Sequence, residues 1–337
     1  MYILYAVIAF SVLIIVHEFG HFILAKINGV KVEEFSIGMG PKIFSIDGKE
    51  TKYSLGILPI GGYVKMLGEE DEVNDDKSFS SKSPLRKITI ILAGAIMNIV
   101  LALVIYTALS AHFGFTLPKV ATVVDGSPAY KVGIKPGDEF KKIDGHKIFT
   151  SEDITIGVSL AKGKSVNLEV ERDGKLLNFD VKPEYNKKEK RDLIGFGFEI
   201  VKNPTIGQSF RESFNQTASA ISQTFNGLKM IVTGKANLKT DVGGPVTIIR
   251  LSGAVAKTGI WNLLNFTALI SINLAVFNLL PFPALDGGWT VILLIELITR
   301  RKVPEKVVSA LNFIGFAMLM GLMVLVTVKD ILFPIKF

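Results

Sequence analysis

The chain has 337 residues, 49% of them hydrophobic and 20% charged, with a mean hydropathy of +0.41. That is too apolar for a soluble enzyme of this length and too charged for membrane helices alone, so spans carrying one soluble module are expected. There is no cysteine, which excludes disulfides, thiolate metal sites and a cysteine nucleophile, and the net charge of +7 fits basic span flanks rather than nucleic-acid binding.

The first element, residues 2–24, is an apolar run long enough to cross a bilayer, which takes about 20 residues. It has no basic leader and no small-residue cleavage site, so it reads as a span and not as a removable signal. Inside it lies "HEFGH". Ionisable groups at membrane depth are costly and persist only where something compensates them. On a helix, His17 and His21 share a face, where two imidazoles can bind one zinc ion, and Glu18 can serve as general base on a water that the metal activates. A catalytic zinc usually takes three protein ligands. The remaining histidines, His112 at the outer end of the second span and His146 in a turn, are poor candidates for the third, so a carboxylate is expected.

Residues 42–66 read as two strands turned at Asp47-Gly48, with Tyr53, Leu55 and Ile57 alternating. Either this is a plain hairpin lying on the membrane, or its edge adds an unwound substrate as a further strand. In the second case Tyr53, Ser54, Leu55, Gly56 and Ile57 form the docking stretch. The acidic "GEEDEVNDD" reads as a solvated linker. A second span covers 88–108, after which residues 115–190 turn polar, with short β-branched runs between glycine turns. Phe210, Phe214, Ile221, Phe225 and Leu228 recur at helical spacing, giving an amphipathic helix that lies on the membrane or packs on the soluble module.

Spans three and four cover 263–280 and 307–328. In "NLLPFPALDGGW", Pro281 and Pro283 end the third span, and broken backbone at membrane depth must be buried in protein or face a watery cavity. Asp286 is thus the carboxylate suited to complete a zinc site. Lys26 and Lys31, Arg86 and Lys87, and Arg300 to Lys302 with Lys306 mark cytoplasmic loops by the positive-inside rule. Both termini and the long segment between spans two and three then lie outside, with the histidines toward the cytoplasmic side.

These motifs together resemble the site-2 proteases, intramembrane zinc metalloproteases, and most of all the bacterial branch that cleaves anti-sigma factors. "HEFGH" and "NLLPFPALDGG" match the family's two metal motifs, and "FSIGMGPKIF" and "LPIGGYVKM" match its membrane-associated loop. "LAGAIMNIVLA" resembles its second-span motif, with Ala95 where the family has proline, and "VGGPVTIIRLSG" resembles a loop near its active site. The resemblance implies zinc ligands His17, His21 and Asp286, a base in Glu18, and a substrate or transition-state role for Asn278. Within the polar segment, "VATVVDGSPAYKVGIKPGDEFKKIDGHKI", with Gly133, Gly137 and Asp138, resembles a PDZ domain, whose groove binds extended peptides. Here it is either a docking site or a steric plug.

The expected fold is a multi-pass α-helical membrane protein with four transmembrane helices, a membrane-associated β-hairpin and an inserted α+β PDZ domain. Its organisation is a membrane catalytic part at 1–114, the PDZ domain at 115–190, a juxtamembrane helix and loop at 191–260, and the last spans at 261–337. The expected activity is zinc-dependent cleavage of single-span proteins, such as anti-sigma factors or signal-peptide remnants, in a bacterial cytoplasmic membrane. A non-catalytic PDZ scaffold has no use for Glu18. A metal transporter calls for further polar residues in the other spans, which offer few beyond Asn98 and Asn273.

Overall fold

A computed structural model describes residues 2–69, 73–237 and 242–334. It divides into two compact units, one built from residues 1–105 and 224–337 and the other from 106–223.

The first unit opens with α1 (Tyr2–Ile27), followed by the strands β1 (Val32–Asp47) and β2 (Lys52–Met66) and the helix α2 (Pro84–Phe113), whose last turns enter the second unit. Four helical segments are long and apolar enough to cross a membrane: Leu4–Ile27, Pro84–Phe113, Ile260–Asn278 and Lys306–Leu332. In α1 the buried positions Ala6, Leu13, His17 and Gly20 run down one face, while Leu4, Ile8, Val12 and Phe19 are exposed on another. Spacings of three, four and seven are what a helix with one packed face requires, and His17 falls on the packed face.

β1 and β2 bend back on themselves. Phe35 faces both Val64 and Tyr53, Ser36 both Tyr63 and Ser54, and Ile37 both Gly62 and Leu55. Residues 52–55 are likewise flanked a second time, by residues 44–47. The sheet therefore has four rows, with 42–47 and 62–66 outermost. Phe35, Val64 and Met66 from this sheet bury with Ala25, Ile88, Ile91 and Leu293, which joins it to the helices. Ile43, Phe44, Ile46 and Ile57 are exposed, an apolar surface suited to a membrane.

The second unit holds β3 (Phe115–Val123), α3 (Pro128–Val132), β4 (Glu139–Ile143), β5 (His146–Lys147), α4 (Ser151–Leu160), β6 (Val166–Arg172), β7 (Lys175–Val181), β8 (Glu184–Asn186), β9 (Arg191–Leu193) and β10 (Phe196–Val201). The main sheet has the order β10-β3-β4-β6-β7, with β5 beside β4 and β8 paired with β9. Because β10 pairs with β3, the sheet runs past residue 190, where the sequence reading ended the module, to Val201. Val120, Phe140, Ile154, Val166, Leu168, Val170 and Val181 fill its core.

The helix α5 (Ile206–Val232) follows. Its buried side is polar: Ser219 donates to Asp153 at 2.6 Å, and Gln223 donates to the same carboxylate at 3.1 Å. Phe210, Phe214 and Phe225 are exposed on its other side. The chain ends with α6 (Pro245–Thr258), α7 (Ile260–Asn278), α8 (Asp286–Thr299) and α9 (Glu305–Leu332).

Candidate metal centre

His17 and His21, one helical turn apart on α1, meet edge to face with ring centroids 4.8 Å apart and Nε2 atoms 3.2 Å apart. Asp286, the first residue of α8, brings Oδ2 to 3.4 Å from His17 Nε2 and 3.7 Å from His21 Nε2. All three potential ligand atoms lie within 4.8 Å of one another, and no other such cluster occurs among the described residues. His112 and His146 take no part in it.

The break between α7 and α8 delivers Asp286. After Asn278 the chain turns tightly, with Phe282 N donating to Leu280 O at 2.7 Å and Leu285 N to Phe282 O at 3.2 Å. Ala284 takes a left-handed φ of 71°, and its amide donates to Asn312 of α9 at 3.3 Å. A Cβ on Gly287 would stand 2.2 Å from the carbonyl oxygen of Leu280, so the turn can fold onto the start of α8 only because that side chain is missing.

The other wall is α2. A Cβ on Gly94 would lie 2.5 Å from His21 Nε2 and 2.7 Å from His17 Nε2, so glycine alone lets α2 back the two rings this closely. His21 Nδ1 is 2.9 Å from the carbonyl oxygen of Ile90. A carbonyl can only accept, so Nδ1 carries the proton and Nε2 keeps its lone pair for a metal. Buried Asn98 contacts His17 Nδ1 at 3.3 Å through its amide nitrogen, while its amide oxygen has no partner. Turning that amide over pairs the oxygen with Nδ1–H, satisfies it, and leaves His17 Nε2 free as well. The sequence reading gave no role to Gly94, Asn98 or the Ile90 carbonyl. The signal available was a single polar residue and a small one in "LAGAIMNIVLA".

Glu18 follows His17 and so points about 100° round the helix from it. Half-buried, it lies beside the backbone of Val64, and a Cβ on Gly62 would lie 3.5 Å from its Cγ. The outer row 62–66 of the sheet therefore borders Glu18. Asn278 aims Nδ2 at His17 Nε2 from 3.3 Å. The docking stretch read from the sequence needs correction. Tyr53, Ser54 and Leu55 have neighbours on both sides, so that row has no vacant ladder, with Gly56 and Ile57 continuing it.

Peptidase family M50 matches residues 5–322. The chain belongs to this family. A protein of Clostridium perfringens named as a zinc metalloprotease is 55% identical over 335 residues, covering 99% of this chain and 100% of its own. The regulator of sigma-W protease RasP of Bacillus subtilis is 31% identical over 409 residues, covering 96% of this chain and 97% of its own. The PDZ domain of an SdrC-like protein of Listeria monocytogenes aligns at 24% identity and a TM-score of 0.23, over 25% of this chain and 88% of its own.

The protein is thus a membrane zinc metalloprotease of the site-2 type. The protease's residues fit that metal. Two imidazoles and a carboxylate are a common donor set for catalytic zinc. Asp286 Oδ2 is buried with no hydrogen-bond donor, a state that would be costly for a carboxylate lacking a cation.

Proposed function

We propose that the protein is an endopeptidase that cuts single-span membrane proteins, with His17 Nε2, His21 Nε2 and Asp286 Oδ2 as the zinc ligands. The observation that carries this reading is the convergence of these atoms, with an orphaned carboxylate oxygen, among apolar helices. Zinc bound there supplies Lewis acidity and lowers the pKa of a water toward neutrality. Glu18 takes a proton from the attacking water and returns it to the leaving amide nitrogen. Asn278 Nδ2 is a donor for the oxyanion that develops on the scissile carbonyl. An unwound substrate adds along the outer row 62–66, which borders Glu18, and not along 53–57.

The resemblance to RasP supports anti-sigma factors as one substrate class. The basic flanks support an orientation with the zinc site toward the cytoplasm and the sheet unit outside. In that arrangement the sheet unit is a PDZ domain that excludes substrates still carrying a bulky outer domain.

The decisive comparison is Glu18→Gln against the unaltered protein, scored for zinc content and for cleavage of a model transmembrane peptide. The variant should keep about one zinc per chain and lose at least ~10²-fold in cleavage rate. Loss of the metal in this variant would make Glu18 a ligand, and normal cleavage would remove it from the chemistry.

A further inference from the structure

From Pro281 to Leu285 three residues carry an amide proton, and at membrane depth each needs an acceptor that the protein supplies. Two donate inside the turn itself, Phe282 to Leu280 O and Leu285 to Phe282 O. The third is Ala284, whose amide finds its acceptor on another helix, at Asn312 Oδ1 of α9. Ala284 is also the strained member. Its φ of 71° lies where an alanine Cβ crowds the backbone and only glycine rests freely. A residue in that state persists only where its surroundings hold it there.

The fourth span does the holding. In the stretch 311–318 every residue is exposed except Asn312 and Gly315, and their spacing of three puts them on one face. A Cβ on Gly315 would stand 2.4 Å from the Pro283 carbonyl oxygen, so the backbone of α9 lies directly on the turn. From the other side, a Cβ on Gly288 would stand 2.2 Å from the Phe282 carbonyl oxygen. The turn is thus gripped between the start of α8 and a helix that carries neither a metal ligand nor the base. An asparagine is costly in such an apolar stretch of a span, and its bond to the Ala284 amide is the compensation. Asp286 follows two residues later, so the torsions at Ala284 and Leu285 decide where its carboxylate points.

We propose that Asn312 is a positioning residue of the metal centre, which holds Ala284 in its left-handed conformation and so directs the Asp286 carboxylate at His17 and His21. The inference rests on the reading of Asp286 as a zinc ligand. Without Asn312 the Ala284 amide loses its acceptor, and the turn relaxes toward a negative φ that swings the start of α8 away from the two imidazoles.

The test takes two measurements on the full chain in detergent micelles. One is zinc affinity against a competing chelator, and the other is hydrogen exchange of the Ala284 amide in the metal-free protein, followed by NMR. Asn312→Ala should weaken zinc binding by about tenfold, the lower end of the cost of losing a group that orients a metal ligand, and should quicken exchange at Ala284. Adding Ala284→Gly should restore most of the affinity, because glycine takes the left-handed φ unaided, while exchange stays fast. A role in packing alone gives no such rescue. Should Asn312→Ala fail to fold, Gly315→Ala presses on Pro283 from the same side and should weaken zinc binding likewise. Unchanged exchange at Ala284 in a folded Asn312→Ala protein would overturn the clamp. Faster exchange with unaltered zinc affinity, or a loss that Ala284→Gly does not relieve, would overturn its link to the metal. Failure of the ligand assignment itself shows separately, as unaltered zinc affinity in Asp286→Ala.

Discussion

Two aspartates, one in each unit, are held in opposite ways. Asp138, fully buried in the sheet unit, receives Arg172 Nε and Nη2 at 2.6 Å each and the Lys135 amide at 2.9 Å. Arg172 also donates to the carbonyl of Gly133 at 2.8 Å, so the pair closes the loop between α3 and β4. Asp286, in the membrane unit, has a buried oxygen with no donor and two imidazole nitrogens in front of it. The first carboxylate is saturated and its role is to hold the fold. The second has an oxygen that no hydrogen-bond donor reaches, beside two imidazole nitrogens, which is the donor set a metal cation requires. Full satisfaction indicates structure, and an orphaned charge with convergent donor atoms indicates chemistry.

The sharpest way to break this comparison is to remove each carboxylate in turn. Asp286→Ala should abolish detectable cleavage and lower zinc occupancy, yet leave the metal-free protein at least as stable as before, since no donor loses a partner and an unsatisfied oxygen is removed. Unaltered zinc affinity in that variant, measured against a competing chelator, would end its assignment as a ligand. Gly94→Val comes next. It puts a carbon atom 2.5 Å from His21 Nε2 and 2.7 Å from His17 Nε2, too close for the rings to stay, so zinc binding and cleavage should fail together even though no ligand has changed. Retention of both would show that α2 can shift away from the rings.

For the saturated carboxylate the expectation reverses. Arg172→Met leaves Asp138 buried without its cation and should destabilise the sheet unit by about 3 kcal/mol, as when one partner of a buried pair is deleted. Zinc content should stay at the unaltered level, and denaturant melts of the two variants would set the two aspartates apart.

An exposed carboxylate extends the series at its weak end. Glu50 is held down to about 2 by hydrogen bonds from Lys77 and Lys26. Its folded value lies below the ordinary 4.5, so its contribution to stability is present above that value and lost as the pH falls toward 2. Exposed pairs contribute little, so Glu50→Gln should flatten the acid limb of a stability-against-pH curve only slightly. A large change would mean that the Lys26–Glu50–Lys77 link supports more than the surface.

Several features were legible in the sequence because they depend on short-range rules. The four spans follow from run length, the HExxH pair from helical spacing, and the break before Asp286 from two prolines that cannot continue a helix. The Asp47-Gly48 turn is there too, with Gly48 N donating to Thr51 O at 2.9 Å. Which row of the sheet is outermost was not legible. Alternation assigns a residue to a face of a sheet, but a vacant edge depends on which strands come to lie beside it, and residues 34–37 insert between the two ends of β2. The polar underside of α5 escaped for a related reason. Its phenylalanines mark one face, while the choice of partner for the other was made by Asp153 on a distant helix.

Sequence alone determined the chemistry on offer: two imidazoles one turn apart, a glutamate between them, and an aspartate after a forced break. Only the tertiary structure decided that these groups face one another. Asp286 lies 269 residues from His17 in the chain, and no local rule fixes a distance across that separation. The close approach of α2 at Gly94 and the folding of the turn onto Gly287 fix it instead. Packing also oriented the ligands, because the Ile90 carbonyl that sets the His21 tautomer is a backbone group, present at every residue and meaningful only where the fold brings it.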